Sequence, residues 1–218
     1  MGDCNCEEFF GEKYFTVGGW NGWYDETAFR LDNEWHKELA EYLCCFMDMK
    51  GSRILDVGCA LGNVVYWLNG IGVEAYGVDI SRWATERAWI SSRVRQADVA
   101  VEIPFEENFF DGIVSRDTLE HIPEERIDSA IVNLGRVMKK GGRAFVSVAT
   151  NRGGKEEKKR SDPGKVDESH VLIRPLTWWR ERFERSGFFS IDLDATFMAM
   201  NSGLGYKYGW DILILERT

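Results

Sequence analysis

An apolar run that ends in a carboxylate and a glycine-punctuated turn constrains the fold of this chain most. It reads Ile54-Leu55-Asp56-Val57-Gly58-Cys59-Ala60-Leu61-Gly62, and a helical pattern begins at Asn63. This order predicts a buried strand, a tight turn and then a helix. In open α/β sheets such a turn lies at the carboxyl end of a parallel strand, where ligands bind, and small residues let a ligand approach the backbone closely.

Strand and helix signals alternate after this turn. Strands are predicted near 53–58, 73–79, 93–98, 109–115 and 143–149, and helices near 63–70, 81–91 and 124–138. We expect Lys139-Lys140-Gly141-Gly142 to close the last of these helices, and a further helix near 176–186. Two apolar runs, 188–198 and 208–215, predict a hairpin at the sheet edge. The pattern predicts an α/β fold with a Rossmann-like, seven-stranded, mostly parallel sheet, helices on both faces and an antiparallel C-terminal strand.

The first 50 residues differ in character from the rest. An aromatic arm that includes Tyr14, Trp20 and Tyr24 precedes an amphipathic helix predicted from Glu26 to about Met49, which should pack on the sheet. Either the arm is stapled to the core, or its aromatic side chains form a lid over a ligand. We therefore divide the chain into residues 1–50, an appendage, and residues 51–218, one main domain.

Charge and cysteine content narrow the function classes. The formal charge of −9 disfavours a nucleic-acid partner, because binding of that kind depends on Lys and Arg that neutralise phosphates. No secretion signal or membrane-spanning stretch is evident, so we expect a cytoplasmic protein. The five cysteines lack the paired C-x-x-C spacing of zinc ribbons, which favours reduced thiols over a metal site. The sequence does not indicate the oligomeric state.

Further motifs follow the first turn in register. A carboxylate, Asp79, ends the second predicted strand, and Gln96-Ala97-Asp98-Val99 follows the third. Asp111-Gly112-Ile113-Val114-Ser115 and Leu119-Glu120-His121-Ile122 accompany the fourth, and the run 136–142 reads Arg-Val-Met-Lys-Lys-Gly-Gly. Together these residues resemble the class I S-adenosylmethionine-dependent methyltransferases, from about Ile54 to Thr150. Dinucleotide binding is disfavoured, because the third glycine of G-x-G-x-x-G is missing. Ala60 replaces the middle glycine of the family's first motif.

The resemblance implies a set of cofactor-binding residues. The backbone of the first turn would accommodate the methionine end of S-adenosylmethionine, with Asp56 close to its polar atoms. Asp79 would accept hydrogen bonds from the ribose hydroxyls, Asp98 would meet the adenine amino group, and Val99 the ring edge. The full predicted set is Asp56, Gly58, Cys59, Gly62, Asp79, Ile80, Asp98, Val99, Ser115, Arg116 and Tyr24.

The acceptor side is less well determined. The aromatic segment before the first motif and the Asp-x-x-His-Val run after the fifth strand look like a subgroup of small-molecule methyltransferases, which implies transfer to an oxygen or nitrogen of a sugar or secondary metabolite. A hydroxyl acceptor needs a general base. His170 is the first candidate and His121 the second, with Asp117 as a weaker alternative. His36, within the amphipathic helix, is expected to be a surface or packing residue.

Other functions remain open on the sequence alone. A protein or RNA methyltransferase would require an open charged groove at the carboxyl edge of the sheet. A binding module would keep the cofactor without turnover. Cofactor binding and catalysis therefore need separate tests.

Overall fold

The computed structural model describes residues 9–16, 29–31, 34–150, 169–202 and 211–218. Its centre is one seven-stranded sheet in the order β3-β2-β1-β4-β5-β7-β6. The strands from β1 to β5 pair in parallel, and β7 is antiparallel to both β5 and β6. The strands are β1 (Arg53–Val57), β2 (Glu74–Asp79), β3 (Val94–Gln96), β4 (Phe110–Arg116), β5 (Met138–Val148), β6 (Phe189–Ile191) and β7 (Asp211–Arg217). The predicted fold class is confirmed.

Seven α-helices accompany the sheet within the described ranges. They are α1 (Glu12–Thr16), α2 (Glu34–Phe46), α3 (Asn63–Gly70), α4 (Arg82–Glu86), α5 (Glu124–Val137), α6 (Leu176–Arg185) and α7 (Leu193–Met200). Two short 3-10 helices, Ser91–Arg93 and Leu119–His121, precede β3 and α5. The helix α5 begins after Pro123 and carries two glutamates in its first turn, where negative charge suits the helix dipole.

Two apolar clusters cover the two faces of the sheet. One contains Ile127, Ile131 and Leu134 of α5 together with Trp179 and Phe183 of α6. The other contains Leu39, Ala40 and Leu43 of α2, packed with residues of α3 and of the central strands. The amphipathic helix therefore packs on the sheet as predicted. The division of the chain at residue 50 stays a prediction.

Several boundaries differ from the prediction. The helix predicted from Glu26 begins at Glu34 in the described region, and residues 29–31 form a turn. The run 139–142 does not cap α5, because the helix ends at Val137 and the run belongs to β5, where Gly141 has a φ of 74° beside a shift in strand register. The run 188–198 is only briefly a strand and then becomes α7, so β6 and β7 pair without forming a tight hairpin.

The topology places the ligand edge at the centre of the sheet. β1 pairs with β2 on one side and with β4 on the other, so the chain order reverses there. Clefts at such a reversal, outside the carboxyl ends of the strands, are the usual ligand sites of open α/β sheets. No helix in the described part of the chain is long and apolar enough to cross a bilayer.

Candidate functional site

The turn after β1 alternates between ordinary and left-handed backbone. Gly58, Ala60 and Gly62 have φ values of 74°, 51° and 74°. A Cβ at Gly58 would lie 2.2 Å from the Thr118 hydroxyl, so a side chain there is excluded by space as well as by conformation. Ala60 adopts the left-handed conformation although it has a Cβ, which is a strained arrangement that surrounding contacts must stabilise.

Asp79, at the end of β2, provides that contact. Its Oδ2 accepts a hydrogen bond of 2.8 Å from the Ala60 amide, and its Oδ1 accepts one of 2.8 Å from the Ser81 amide. Burial raises the pKa of Asp79, and the two amide donors oppose that rise. A carboxylate has about four acceptor sites, so two remain for a ligand.

A cavity of about 900 Å³, part of it open to solvent, lies at this edge of the sheet. Six of the predicted cofactor-binding residues line it, namely Gly58, Asp79, Ile80, Asp98, Val99 and Arg116. Residues from the carboxyl ends of four different strands therefore meet at one cavity.

Asp98 is held in place at the far end of this cavity. Its Oδ2 accepts a hydrogen bond of 2.7 Å from Arg126 of α5, and its Oδ1 accepts one of 2.9 Å from the Ala100 amide. Arg126 also lines the cavity. The ion pair fixes the carboxylate position while leaving acceptor sites for a ligand amino group.

The N-terminal segment contributes an aromatic wall. Phe10, Tyr14 and Phe15 line the cavity, and Phe15 is stacked on Trp83 of α4 with ring centroids 5.5 Å apart. The Ser81 hydroxyl donates a hydrogen bond to the Phe10 carbonyl. Part of the aromatic arm therefore covers the ligand edge. Tyr24 and Trp20, which belong to the lid in one of the two interpretations of the arm, lie outside the described residues.

The two candidate bases are neighbours but occupy different positions. His121 lines the cavity, together with Asp117, whereas His170 is not among the lining residues. The two imidazole rings are 4.8 Å apart at their centroids. Nδ1 of His121 lies 2.9 Å from the Ser169 carbonyl oxygen, which can only accept a hydrogen bond, so Nδ1 carries the proton in this contact. Of the two candidates, only His121 lines the described cavity, and the role of either histidine as a base stays a prediction.

Glu120 was part of a quoted motif but was not predicted to be a functional residue. Its side chain is fully buried, Oε1 accepts a hydrogen bond of 2.8 Å from the Ala149 amide, and Oε2 has no partner among the described residues. Burial raises the pKa of Glu120 to about 8, with a further rise from Asp117 and an opposing effect of His170. Only the three-dimensional structure brings this carboxyl beside His170, so periodicity could not have indicated it.

A second, smaller cavity of about 370 Å³ lies beside the same turn. Asp56, Cys59, Gly58 and Ala60 line it, and Arg116 lines both cavities. Burial raises the pKa of Asp56 to about 7, against the lowering effect of Arg116 and with a further rise from Asp79. Burial also raises the pKa of the Cys59 thiol well above its usual value.

Two predicted residues stand apart from both cavities. Gly62 closes the turn, and its amide donates to the Cys59 carbonyl, but it lines neither cavity. Ser115 is completely buried in β4 and also lines neither. Their roles toward a cofactor stay predictions. Among the described residues no group of three or more His, Cys, Asp or Glu side chains could hold a metal ion.

Comparison with known proteins agrees with the geometry of this edge. Residues 24–193 match the methyltransferase domain family. The match covers most of the chain, and the chain therefore belongs to this family, within the class I S-adenosylmethionine-dependent group whose motifs it carries.

The chain is similar to several enzymes of this family. It is 26% identical to a ubiquinone biosynthesis O-methyltransferase of Nitrosococcus oceani over 73% of this chain and 74% of the relative. It is 32% identical to phosphoethanolamine N-methyltransferase 1 of Triticum aestivum, over 65% of this chain but only 26% of the relative. It is also 32% identical to an O-methyltransferase of Aspergillus sclerotiorum, over 62% of this chain and 53% of the relative. For the last two, the chain spans about a quarter and about half of the relative's length.

Solved structures support the fold. A Pyrococcus horikoshii protein superposes with a TM-score of 0.62 at 16% identity, over 88% of this chain and 95% of that one. A protein from Methanococcus maripaludis gives a TM-score of 0.60 at 18% identity, over 88% and 90% of the two chains. At this level of identity, the likeness establishes the architecture alone.

Proposed function

We propose that this protein is an S-adenosylmethionine-dependent methyltransferase that acts on an oxygen or nitrogen of a small molecule of the sugar or secondary-metabolite type. One observation carries the proposal. Asp79 and Asp98, predicted to hold the two ends of a nucleoside, line the same cavity as His121, a candidate base. The named relatives support the same class, since they include enzymes of O-methylation and of N-methylation.

The residues present fit this cofactor. Thr118 leaves no space for a side chain at position 58, so this position is glycine. The absence of a side chain leaves the backbone of the turn accessible to a ligand. Asp79 retains two acceptor sites for a pair of ribose hydroxyls, and Asp98 retains capacity for an amino group. When bound, the cofactor supplies an activated methyl group on a sulfonium.

The chain's own contribution to such a reaction is positioning, exclusion of water and proton removal. Phe10, Tyr14 and Phe15 form an aromatic wall against solvent, and aromatic faces also attract a cationic sulfur. His121, with its proton on Nδ1, accepts the proton of a hydroxyl or ammonium acceptor at Nε2.

The first test is cofactor binding by calorimetry. S-adenosylhomocysteine should bind and NAD should not. Asp79→Ala and the isosteric Asp79→Asn should each weaken S-adenosylhomocysteine binding at least tenfold, because charge-assisted hydrogen bonds to the ribose are lost. Glu107→Gln, an exposed acid remote from the cavity, is the control and should bind normally.

Unchanged affinity in folded Asp79→Asn would contradict the placement of the ribose. Absence of S-adenosylhomocysteine binding by the unmodified protein would contradict the proposed function as a whole. If binding is confirmed, radiolabelled methyl transfer to a panel of sugars, phenols and amines identifies the acceptor class. Binding without transfer to any small molecule, protein or RNA would instead indicate a binding module.

A further inference from the structure

The smaller cavity contains polar atoms that the fold leaves without partners. His36 of α2 is 4% exposed and Asn63, the first residue of α3, is 2% exposed, and both line this cavity. Neither Nδ1 of His36 nor Oδ1 of Asn63 has a hydrogen-bond partner among the described residues. Buried polar atoms without partners are uncommon and costly, so two at one cavity indicate that a ligand group completes them.

The orientation of the Asn63 amide is fixed by its nitrogen. Nδ2 donates to the carbonyl oxygens of Phe29, at 3.0 Å, and Arg30, at 3.2 Å. Because both of these partners accept hydrogen bonds, the side of the amide that remains is the oxygen, which is an acceptor. The cavity therefore offers an amide oxygen in addition to the Asp56 carboxylate.

The His36 ring is neutral, and its tautomer with the proton on Nε2 would make Nδ1 an acceptor toward this cavity. Burial and the neighbouring positive charge of Arg116 lower the pKa of His36 to about 3, so the ring is neutral at physiological pH. A neutral imidazole has one nitrogen that accepts a hydrogen bond. The guanidinium of Arg116 lies over the ring of the adjacent Trp35, 4.6 Å from its centroid. The positive charge of Arg116 is therefore positioned by the same turn of α2 that contains the neutral His36 ring.

We propose that His36, Asn63 and Asp56 together bind the α-ammonium group of the cofactor's amino-acid end. An ammonium has three N–H donors, which match an imidazole nitrogen, an amide oxygen and a carboxylate. Its positive charge compensates the desolvated Asp56 carboxylate, which is 5% exposed. The inference rests on the proposed function, because it assigns two further side chains to the site of the same cofactor.

The experiment compares two ligands that differ only in this group. Calorimetry measures binding of S-adenosylhomocysteine and of its analogue with hydrogen in place of the α-amino group. His36→Leu should weaken S-adenosylhomocysteine binding roughly tenfold or more and leave the deaminated analogue unchanged. His36→Asn, which places an acceptor near the position of Nδ1, should restore much of the loss.

Thermal unfolding separates this role from packing. His36→Leu replaces a buried ring with an unpaired nitrogen by an apolar side chain, so Tm should stay equal or rise while affinity falls. Equal losses for both ligands would overturn the inference and indicate general damage to the cavity. No loss for either ligand would also overturn it and indicate that water completes these atoms. If the unmodified protein binds neither ligand, the proposed function itself has failed.

Discussion

At the scale of single residues, the proposed general base is His121, which lines the cavity and has Nδ1 2.9 Å from the Ser169 carbonyl oxygen. Replacing it in His121→Gln should lower kcat by about 10² to 10⁴-fold, the usual contribution of a positioned base, while S-adenosylhomocysteine affinity stays the same. The measurement pairs steady-state kinetics on the identified acceptor with calorimetry of the product cofactor.

His170→Gln is the matched control for that prediction. His170 contacts the His121 ring edge to face but does not line the cavity, so its loss should lower kcat less than the loss of His121. A larger effect from His170→Gln than from His121→Gln would restore the original sequence-based ranking. Loss of cofactor affinity in both variants would point to a scaffolding role for the pair.

The sequence predicts that Asp79 and Asp98 lie at one edge of the sheet but does not predict how the two histidines are arranged, for a physical reason. Asp79 and Asp98 follow parallel strands, and the carboxyl ends of such strands meet at one edge whatever the loops do. The positions of His121 and His170 depend on how residues 169–172 pack against the 3-10 turn, through the Leu172 amide and the Glu120 carbonyl. No local periodicity records that contact, and none records that Nδ1 of His36 has no partner among the described residues.

At the scale of elements, the position of the short helix α1 depends on its contacts with α4. Five residues are too few for a stable isolated helix, so α1 is held by contacts such as the stacking of Phe15 on Trp83. Trp83→Leu should weaken S-adenosylhomocysteine binding roughly three- to tenfold, the value of an aromatic pair, because the aromatic wall is less well held. Calorimetry and the dissociation rate give the result.

Trp89→Leu provides the comparison for this prediction. Trp89 is 44% exposed and does not line the cavity. Its loss should leave affinity and dissociation rate unchanged. If Trp83→Leu behaves like Trp89→Leu, the arm only packs on the core and does not close the site, which was the other interpretation of the N-terminal aromatics.

The predicted element boundaries are least accurate where the same sequence pattern is compatible with both a helix and a strand. The run 188–198 is apolar enough for a strand, but Asp192 caps a helix by accepting a hydrogen bond of 2.9 Å from the Ala195 amide, so α7 begins directly after β6. The glycines at 141 and 142 resemble a helix cap, yet they serve the irregular start of β5. In both cases the structure is determined by one local feature, a helix cap or a left-handed glycine, which the apolar pattern does not predict.

At the scale of the whole molecule, the alternation of strands and helices predicts the parallel sheet and the edge at which ligands bind. It does not predict how the stability of the fold depends on pH. The described core buries several ionisable groups, and Glu120 is completely buried with one carboxyl oxygen unpartnered. Such a group makes the stability of the entire domain depend on pH. This pH dependence can be predicted only when the burial and the hydrogen-bond partners of Glu120 are known.

The sign of this dependence follows from linkage. The pKa of Glu120 is raised from 4.5 to about 8 in the folded protein, so the folded state keeps a proton that the unfolded chain has released. Its contribution to stability is fully present below pH 4.5 and is lost as pH rises through about 8. Glu120→Gln cannot ionise, and its Oε1 can still accept from the Ala149 amide, so the variant should escape this loss.

Thermal unfolding at pH 5, 7 and 9 therefore tests the prediction. The Tm values of Glu120→Gln and the unmodified protein should nearly coincide at pH 5, and the variant should become increasingly the more stable as pH rises, by at least ~2 °C at pH 9. Asp56 titrates in the same window but is common to both proteins, so the difference in Tm isolates Glu120. The exposed-acid control Glu107→Gln should show no such trend. A Tm difference that is independent of pH would mean that Glu120 is charged in the folded protein and paired by groups outside the described residues.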